Sequence, residues 1–144
     1  MKKKTSWIKT AKKNAWDAFS RYIRLRDALK TTNSTRYATC ITCWETKEII
    51  TMDAGHFMSR QHSYTFFDEQ NVHCQCKSCN MNSWEQYLYW LYIIKTYWKE
   101  TKDRLLIDRN KTKRFTVEEL VEIKHKYQNL VKEIESEHWI PWKR

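Results

Sequence analysis

Four of the five cysteines in this chain have the residue type and spacing of metal ligands. They form two Cys-x-x-Cys pairs, Cys40 with Cys43 and Cys76 with Cys79. This spacing places two thiolates on one tight turn, and two such turns complete the closed tetrahedral shell of a structural zinc ion. A redox-active dithiol is the rival interpretation, but it explains one pair and not both. The sequence therefore predicts a Cys₄ zinc site.

The segment between the two cysteine pairs carries a second set of residues able to do chemistry. His56 follows Gly55, the only glycine of the chain, and Asp53 lies just upstream. Phosphodiester hydrolysis needs a general base near neutral pH, which a neutral imidazole supplies. It also needs a hard cation such as Mg²⁺ or Mn²⁺, which the amide and carboxylate oxygens of Asn80 and Asp53 suit. The segment thus predicts a catalytic ion on oxygen ligands beside a zinc ion on sulfur.

Three features distinguish His56 from an ordinary structural histidine. The glycine before it predicts a backbone shape that no other residue adopts. Asp53 lies within reach, and Asn80 directly follows the last cysteine at the start of a helix, where a zinc cluster would hold it rigidly. Together with Asn71 on a second strand, these are the parts of an HNH, or ββα-metal, nuclease site.

Two further residues lie close to this set in the sequence, His73 with three interpretations and Cys74 with no predicted catalytic role. His73 shares a strand face with Asn71, and we interpret it as a metal ligand, a phosphate contact or a structural residue. Cys74 falls on the opposite side of an extended chain from His73, which predicts a small buried hydrophobic residue. The other histidines, at positions 62, 125 and 138, are predicted to be plain surface residues.

The elements that must position these residues follow from hydrophobic periodicity. Residues 6–30 have the spacing of an amphipathic helix, with basic residues between its apolar positions. After a polar break, residues 37–57 are extended, and the β-branched stretch 46–52 predicts a hairpin arm. Residues 59–70 predict a long loop and residues 71–75 a short strand.

Two further helices are predicted in the second half of the chain. The first begins at Asn80, and a charged connector follows it after Lys99. Its predicted buried stripe is Trp84, Tyr87, Leu88, Leu91, Ile94 and Trp98. Thr116-Val-Glu-Glu119 has the capping-box pattern and predicts a last helix that runs to about His138. The loose heptad of that helix fits ordinary core packing or a homodimer seam, and consists of Val117, Leu120, Tyr127, Val131 and Ile134.

Composition excludes several function classes. The 144 residues include 1 Gly and 1 Pro, so neither a phosphate-binding loop of the GxxxxGK type nor a dinucleotide fingerprint is present. The longest apolar run is too short to span a membrane, and the basic start is not followed by the apolar stretch of a signal peptide. We therefore expect an intracellular protein without disulfides.

The charge distribution points to a polyanionic partner. The chain has a formal net charge of +10, and the excess lies in residues 1–30. Such a basic segment usually meets a nucleic acid; the plainer alternative is a solvated terminus. The predicted phosphate contacts in this segment are Lys9, Lys12, Lys13, Arg21, Arg24 and Arg26.

Several motifs of the chain, taken together, resemble the NinG, or Rap, recombination endonucleases of lambdoid bacteriophages. The resemblance covers residues 14–82 and is carried by Phe19-Ser-Arg-Tyr-Ile-Arg-Leu-Arg-Asp-Ala28, Cys40-x-x-Cys43, Asp53-Ala-Gly-His56-Phe-x-Ser-Arg60 and Asn71-x-His73-x-Gln75-Cys76-x-x-Cys79-Asn80. The Cys-x-x-Cys-Asn element is also similar to endonuclease VII, a zinc-bearing junction resolvase. The Asp-x-Gly-His element is similar to the Asp-Arg-Gly-His motif of non-specific ββα-metal nucleases.

The resemblance implies a role for each matched residue. His56 would be the general base, Asn80 a ligand of the catalytic ion, and Asn71 the residue that pins the loop presenting His56. Gly55 stands where most HNH sites have an acid or a histidine, so Asp53 either ligates the ion or braces the loop. Arg60 would contact phosphate. The implied substrates are branched recombination intermediates, including Holliday junctions and D-loops.

The sequence therefore predicts an α+β protein with a zinc-stabilised, HNH-like ββα-metal core flanked by N- and C-terminal helices. The predicted units are a basic arm (1–36), the nuclease core (37–99) and a connector with a last helix (100–144). The expected activity is metal-dependent cleavage of DNA in the bacterial cytoplasm, with host or phage recombination proteins as further partners. The alternative is a zinc-stabilised nucleic-acid-binding module without catalysis.

Overall fold

The computed structural model describes residues 2–82 and 86–138, which form an α+β fold of helices and two small antiparallel sheets. The elements in chain order are α1 (Lys2–Thr32), β1 (Tyr37–Thr39), β2 (Thr46–Glu48), β3 (Met52–His56), β4 (Val72–Cys76), α2 (Lys77–Met81), α3 (Gln86–Asp108) and α4 (Val117–Glu137). Within these residues, no helix combines the length and apolarity needed to cross a bilayer.

Helix α1 confirms the predicted N-terminal helix and extends it by a few residues at each end. Its buried face, which includes Ala15, Phe19 and Ile23, packs on the rest of the core. The helix ends where Asn33 takes a left-handed backbone conformation with φ of 51°, a common way to close a helix. The segment predicted as a basic arm is thus also a wall of the core.

The two hairpins carry the cysteine pairs and the candidate catalytic residues. Strands β1 and β2 pair with Tyr37 opposite Glu48, and the first Cys-x-x-Cys lies in the turn between them. Strands β3 and β4 pair with Met52 opposite Cys76 and His56 opposite Val72. The predicted strand at 71–75 is therefore confirmed as β4. The predicted arm 46–52 is interrupted, because a 3-10 turn at Ile49–Thr51 separates β2 from the start of β3 at Met52.

Helix α3 corrects the predicted buried stripe. Its buried residues include Tyr89, Tyr92 and Ile93, whereas Tyr87 is 64 % and Trp98 is 77 % exposed. The other exposed members of the predicted stripe are Leu88 and Leu91; Trp84 lies outside the described residues. The helix turns Tyr89 inward, where its hydroxyl meets polar groups of the strands beneath it.

The charged connector predicted after Lys99 is shorter than expected. Helix α3 continues to Asp108, with one non-helical residue, Trp98, at φ 70° and ψ 168°. Residues 109–116 then link α3 to α4.

Helix α4 starts as the sequence predicts. Thr116 Oγ1 accepts a hydrogen bond from Glu119 N, and the Glu119 carboxylate accepts one from Thr116 N, so both halves of the capping box are present. Of its heptad stripe, Leu120, Tyr127 and Val131 are buried. The Tyr127 ring lies edge-on to Phe19 of α1, with 4.7 Å between ring centroids. The stripe thus packs within the chain, as the first of the two alternatives predicts.

Candidate active site and cysteine cluster

The two Cys-x-x-Cys pairs meet at the junction of the hairpins. The sulfur atoms of Cys40, Cys43, Cys76 and Cys79 all lie within 4.8 Å of one another, and those of Cys43 and Cys76 are 3.8 Å apart. A tetrahedral zinc ion with Zn–S bonds of about 2.3 Å requires sulfur separations of about 3.8 Å. The donor set and its spacing therefore fit zinc.

Local hydrogen bonds prepare the Cys76 thiol for metal binding. Burial raises its pKa, but hydrogen bonds from the Ser78 hydroxyl and from the backbone N–H of Cys79 outweigh burial and lower that pKa to about 7. A thiolate at neutral pH is the form that ligates a metal. Cys74 behaves in the opposite way. It is fully buried, 3.7 Å from the Met52 sulfur, burial raises its pKa, and it is not part of the cluster, as predicted.

His56 lies at the end of β3 with its imidazole between aromatic rings. The Trp16 ring of α1 stacks on it at 4.9 Å and 19°, and the Phe66 ring lies at 5.1 Å. Its Nε2 is 2.9 Å from the Phe66 carbonyl oxygen. A carbonyl only accepts, so Nε2 carries the hydrogen and the lone pair is on Nδ1.

The surroundings of His56 keep its imidazole neutral. Burial lowers its pKa to about 4, and the cations of Arg60 and Lys12 act in the same direction, although the hydrogen bond to Phe66 opposes them. The ring is therefore held in place as a neutral imidazole whose Nδ1 is unprotonated at pH 7.

Asn71 holds the loop that follows His56. Its Oδ1 accepts from the backbone N–H of Met58 at 2.6 Å, and its Nδ2 donates to the carbonyls of Met58 and Thr65, each at 3.0 Å. The side chain is fully buried. One amide thereby ties together both ends of the turn that carries the loop away from β3.

Asn80 and Asp53 lie beside each other at the cysteine cluster. Asn80 follows Cys79 in α2, and its Nδ2 donates to Asp53 Oδ2 at 3.1 Å. That bond turns the amide nitrogen of Asn80 toward Asp53. The amide oxygen of Asn80 takes no part in the bond and can accept from another group. An amide oxygen and a carboxylate are hard-cation ligands.

Gly55 is required for space and not for backbone shape, which corrects the sequence-based interpretation. Gly55 does not have a positive φ, since it lies in the extended strand β3. A Cβ at this position would overlap Gln75 Oε1 and would lie 2.9 Å from Asn80 Oδ1. Glycine therefore allows Gln75 and Asn80 to pack directly on the strand.

Three cations surround these residues. Lys12 Nζ lies 4.0 Å from the Phe66 ring centroid, the Arg60 guanidinium lies 5.0 Å from that of Trp16, and Arg24 donates weakly to the Met52 carbonyl at 3.5 Å. None of the three forms an ion pair with a carboxylate in the part of the chain that the structure describes. Arg24 and Arg60 line cavities beside these residues, whereas Lys12 lies beside Phe66 and Arg60.

Two adjoining cavities connect the set. One of about 400 Å³ is lined by His56, Arg60 and Asn80 among others. The other, of about 310 Å³, is lined by Arg24 and Asp53 and shares Arg60 and Asn80 with the first. His56, Asn80 and Asp53 thus line adjoining concave surfaces together with Arg24 and Arg60.

Sequence reasoning missed that α1 forms part of this surface. Lys12, Trp16, Ser20 and Arg24 are spaced four residues apart and therefore lie along one face of the helix, and Trp16, Ser20 and Arg24 line the second cavity. The four-residue spacing is the signal that could have revealed this ridge.

The remaining predicted phosphate contacts on α1 have different surroundings. Arg26 points inward, where it pairs with Asp27 at 2.7 Å and donates to the carbonyls of Glu69 and Val72; this argues against the phosphate contact predicted for it. Arg21 pairs with Glu135 of α4. Lys13 forms an exposed pair with Asp17, and Lys9 is exposed.

The structure separates the alternatives for the other histidines. His73 is fully buried and bonded to the hydroxyls of Tyr89 at 3.0 Å and Tyr97 at 2.8 Å, so it is structural. His62 is not a plain surface residue, because its Nδ1 lies 2.9 Å from the Arg109 carbonyl. His125 is exposed on α4 and His138 caps its end.

Tyr89 explains the inward turn of α3. Its hydroxyl donates to the Gly55 carbonyl at 2.7 Å and also contacts His73. Burial raises its pKa well above the usual value, so it remains a hydrogen-bond donor beneath the site.

Comparison with known proteins assigns a family. The profile described as "Bacteriophage Lambda NinG protein" matches residues 1–137. The chain is 33 % identical over 136 residues to the ninG protein of Escherichia phage 933W, covering 93 % of this chain and 61 % of the relative. Identities are 31 % with ninG of Escherichia phage lambda and 32 % with that of Salmonella phage P22, each covering 93 % of this chain and 60 % of the relative.

The chain therefore spans about three fifths of the length of the curated relatives it matches. No solved structure matches it significantly. A profile match over nearly the whole chain, together with relatives above 30 % identity, shows that the chain belongs to the NinG family of lambdoid bacteriophages.

Proposed function

We propose that this chain is a metal-dependent DNA endonuclease of the HNH type. The observation that carries the proposal is His56, a neutral imidazole whose Nε2 is occupied by the Phe66 carbonyl and whose Nδ1 has no hydrogen-bond partner among the described residues. Half-buried, stacked and facing a cavity, it keeps one ring nitrogen available for a general base, whereas both ring nitrogens of the structural His73 are hydrogen-bonded.

The base would act on water. With Nδ1 unprotonated at neutral pH, His56 accepts a proton from a water molecule as that water attacks phosphorus, a contribution of typically 10²–10⁴-fold to the rate. The stacking against Trp16 and the bond to Phe66 hold the ring in one orientation during the transfer. Orientation of this kind lowers the barrier because no ring rotation precedes the reaction.

The oxygen atoms of Asn80 and Asp53 would hold the catalytic divalent ion. One amide oxygen and one carboxylate fit Mg²⁺ or Mn²⁺, which usually keep several waters and take the remaining ligands from a substrate phosphate. When bound, such an ion supplies charge stabilisation for the departing oxygen. The hydrogen bond between the two side chains sets the direction of the Asn80 oxygen.

The three unpaired cations would receive the DNA backbone. Arg24 and Arg60 line the cavities and Lys12 lies beside Arg60, each without an ion pair to a described carboxylate, which suits a phosphodiester that must displace only water. Lys12 and Arg60 rest on aromatic faces, a contact that positions a cation without neutralising it. Lys9 and Lys13 extend this basic ridge along α1.

The cysteine cluster would have a structural role. It joins the turn of the first hairpin to the start of α2, and Asn80 is the residue after its last ligand. Zinc binding would therefore fix the position of a catalytic ligand. The order β3, β4, α2 around this cluster supports a ββα-metal core.

Family membership supports the wider setting of the proposal. By resemblance to NinG, or Rap, endonucleases, we infer branched recombination intermediates such as Holliday junctions and D-loops as substrates, cut in the cytoplasm of the bacterial host. Homodimers and recombination partners belong to the same proposal.

The decisive experiment compares cleavage of branched and linear DNA by the wild type, His56→Gln and His125→Gln. His125 is an exposed histidine on α4 and serves as the matched control. Metal dependence is tested by running each reaction with and without added Mg²⁺. No chelator is used, because a chelator would also remove zinc. Zinc content is measured for every variant.

We expect Mg²⁺-dependent cleavage that His56→Gln abolishes and His125→Gln leaves unchanged. DNA binding without cleavage by the wild type would favour the binding-module alternative. Equal activity of the two histidine variants would remove His56 from the mechanism.

A further inference from the structure

A second concave surface adjoins the candidate active site. A cavity of about 520 Å³ opens between the loop after β3 and helix α3, and it shares Phe57, Ser59 and Gln86 with the His56 cavity. The wall between them is fixed, because Gln86 Nε2 donates to the Phe57 carbonyl at 2.7 Å.

The walls of this cavity are aromatic and apolar. Tyr87 and Trp90 of α3 lie nearly parallel, with ring centroids 6.0 Å apart and an interplanar angle of 22°. Phe57, Met58 and Leu106 complete the apolar lining. The Tyr87 ring is exposed to solvent and is free to contact a ligand.

The charge around the cavity is positive. Arg109 lines it and forms no ion pair with a described carboxylate, and Arg60 lies at the adjoining cavity. No Asp or Glu of the described ranges 2–82 and 86–138 lines either cavity. A protein segment could dock on an apolar surface that has acidic residues nearby. A polyanion needs a surface without them, because carboxylates would repel it.

We propose that this cavity binds an unpaired nucleobase of a DNA strand whose backbone lies in the His56 cavity. A planar base has the shape and the π-face that suit the exposed Tyr87 ring beside Trp90, and its phosphates have the charge that Arg109 and Arg60 attract. A fully paired duplex keeps its bases stacked inside and gains nothing from the cavity. The site therefore favours cutting beside unpaired bases, which branch points and flaps supply.

This inference rests on the proposed function for the position of the backbone, but it is tested by binding alone. The probes are a fully paired duplex and the same duplex with a single-stranded flap. Affinities are measured by fluorescence anisotropy without Mg²⁺, so that no cleavage occurs. The variants are Tyr87→Ala, Tyr87→Leu and Tyr87→Phe, with Tyr37→Ala as the control, a surface tyrosine on β1 far along the chain from the cavity.

Tyr87→Ala and Tyr87→Leu should weaken flap binding by about 5-fold to about 150-fold, the range that loss of one base–aromatic contact gives. Tyr87→Phe keeps the ring and should restore most of the affinity. The Tyr87 variants should bind the paired duplex within about twofold of the wild type. The control Tyr37→Ala should bind both probes within about twofold of the wild type. Circular dichroism and zinc content check the fold of each variant.

Three results would overturn the inference. Equal losses on both probes would indicate a general backbone contact. Full binding by Tyr87→Leu would indicate an apolar pocket, better suited to a protein segment. Unchanged flap binding by Tyr87→Ala would show that the rings do not touch DNA. One combination of results separates the two proposals. If the wild type does not cleave DNA but prefers the flap probe, and Tyr87→Ala removes that preference, the nuclease proposal fails and the base site stands.

Discussion

Replacing Gly55 by alanine tests the packing that brings Asn80 against β3. The new methyl group would overlap Gln75 Oε1 and would lie 2.9 Å from Asn80 Oδ1. The backbone itself accepts alanine, since the glycine has no positive φ. Any effect therefore comes from displaced side chains and not from backbone strain.

The magnitude follows from what must move. Overpacking of this kind costs about 1–3 kcal/mol. Gln75 Nε2 also donates to Thr42 Oγ1 at 2.6 Å, and a displaced Gln75 loses this buried bond, worth about 0.5–1.5 kcal/mol. We expect Gly55→Ala to destabilise the protein by about 1.5–4.5 kcal/mol, the sum of these two contributions.

A double-mutant cycle with Gln75→Ala isolates the clash. Gln75→Ala removes the overlapping atoms, so the double variant should be little less stable than Gln75→Ala alone. The coupling free energy should be at least about 1 kcal/mol by chemical denaturation of zinc-loaded protein. Activity should not recover in the double variant, because the methyl group still displaces Asn80. Additive costs, within about 0.5 kcal/mol, would refute this account of Gly55.

Further perturbations test the base, the ions and the backbone contacts. Burial lowers the pKa of His56 to about 4, so cleavage should hold nearly constant from about pH 7 to about pH 5, where an ordinary imidazole of pKa about 6.5 would lose about 30-fold. The same depression means that its contribution to stability is complete above about pH 6.5 and is lost as pH falls towards about 4, because the unfolded state takes up the proton first. Asn80→Ala should lose activity that raised Mg²⁺ partly restores; indifference to Mg²⁺ would exclude Asn80 as a ligand. Cys79→Ser should lose zinc and unfold the central segment by circular dichroism, whereas Cys74→Ser should keep its zinc; a folded, zinc-free Cys79→Ser would contradict the cluster. Lys12→Gln should reduce the log–log salt slope of DNA binding by about 0.9, the effect of one phosphate contact; an unchanged slope would place Lys12 off the DNA path.

The cysteine cluster and the capping box were predictable because their determinants are local. Two Cys-x-x-Cys spacings specify two turns whatever the chain does between them, and Thr116 and Glu119 satisfy each other within one helical turn. Both patterns need no knowledge of tertiary contacts.

The buried face of α3 and the ridge of α1 were not predictable in this way. Helix α3 has aromatic and apolar residues all around, so periodicity alone could not choose between Tyr87 and Tyr89. Tyr89 is the buried residue of the two because its hydroxyl forms hydrogen bonds with the Gly55 carbonyl and with His73. Likewise Trp16 reaches His56 only because α1 packs across β3, a contact between distant parts of the chain.

The packing of α1 on α4 has a consequence for synthesis. Phe19 and Tyr22 of α1 contact Tyr127, so α1 keeps part of its apolar face in water until residues 117–137 have been translated. Contacts between such distant residues also form slowly, because a long loop must close first. Trp16 of this same helix stacks on His56, so the packing of α1 on α4 also supports the surroundings of that histidine.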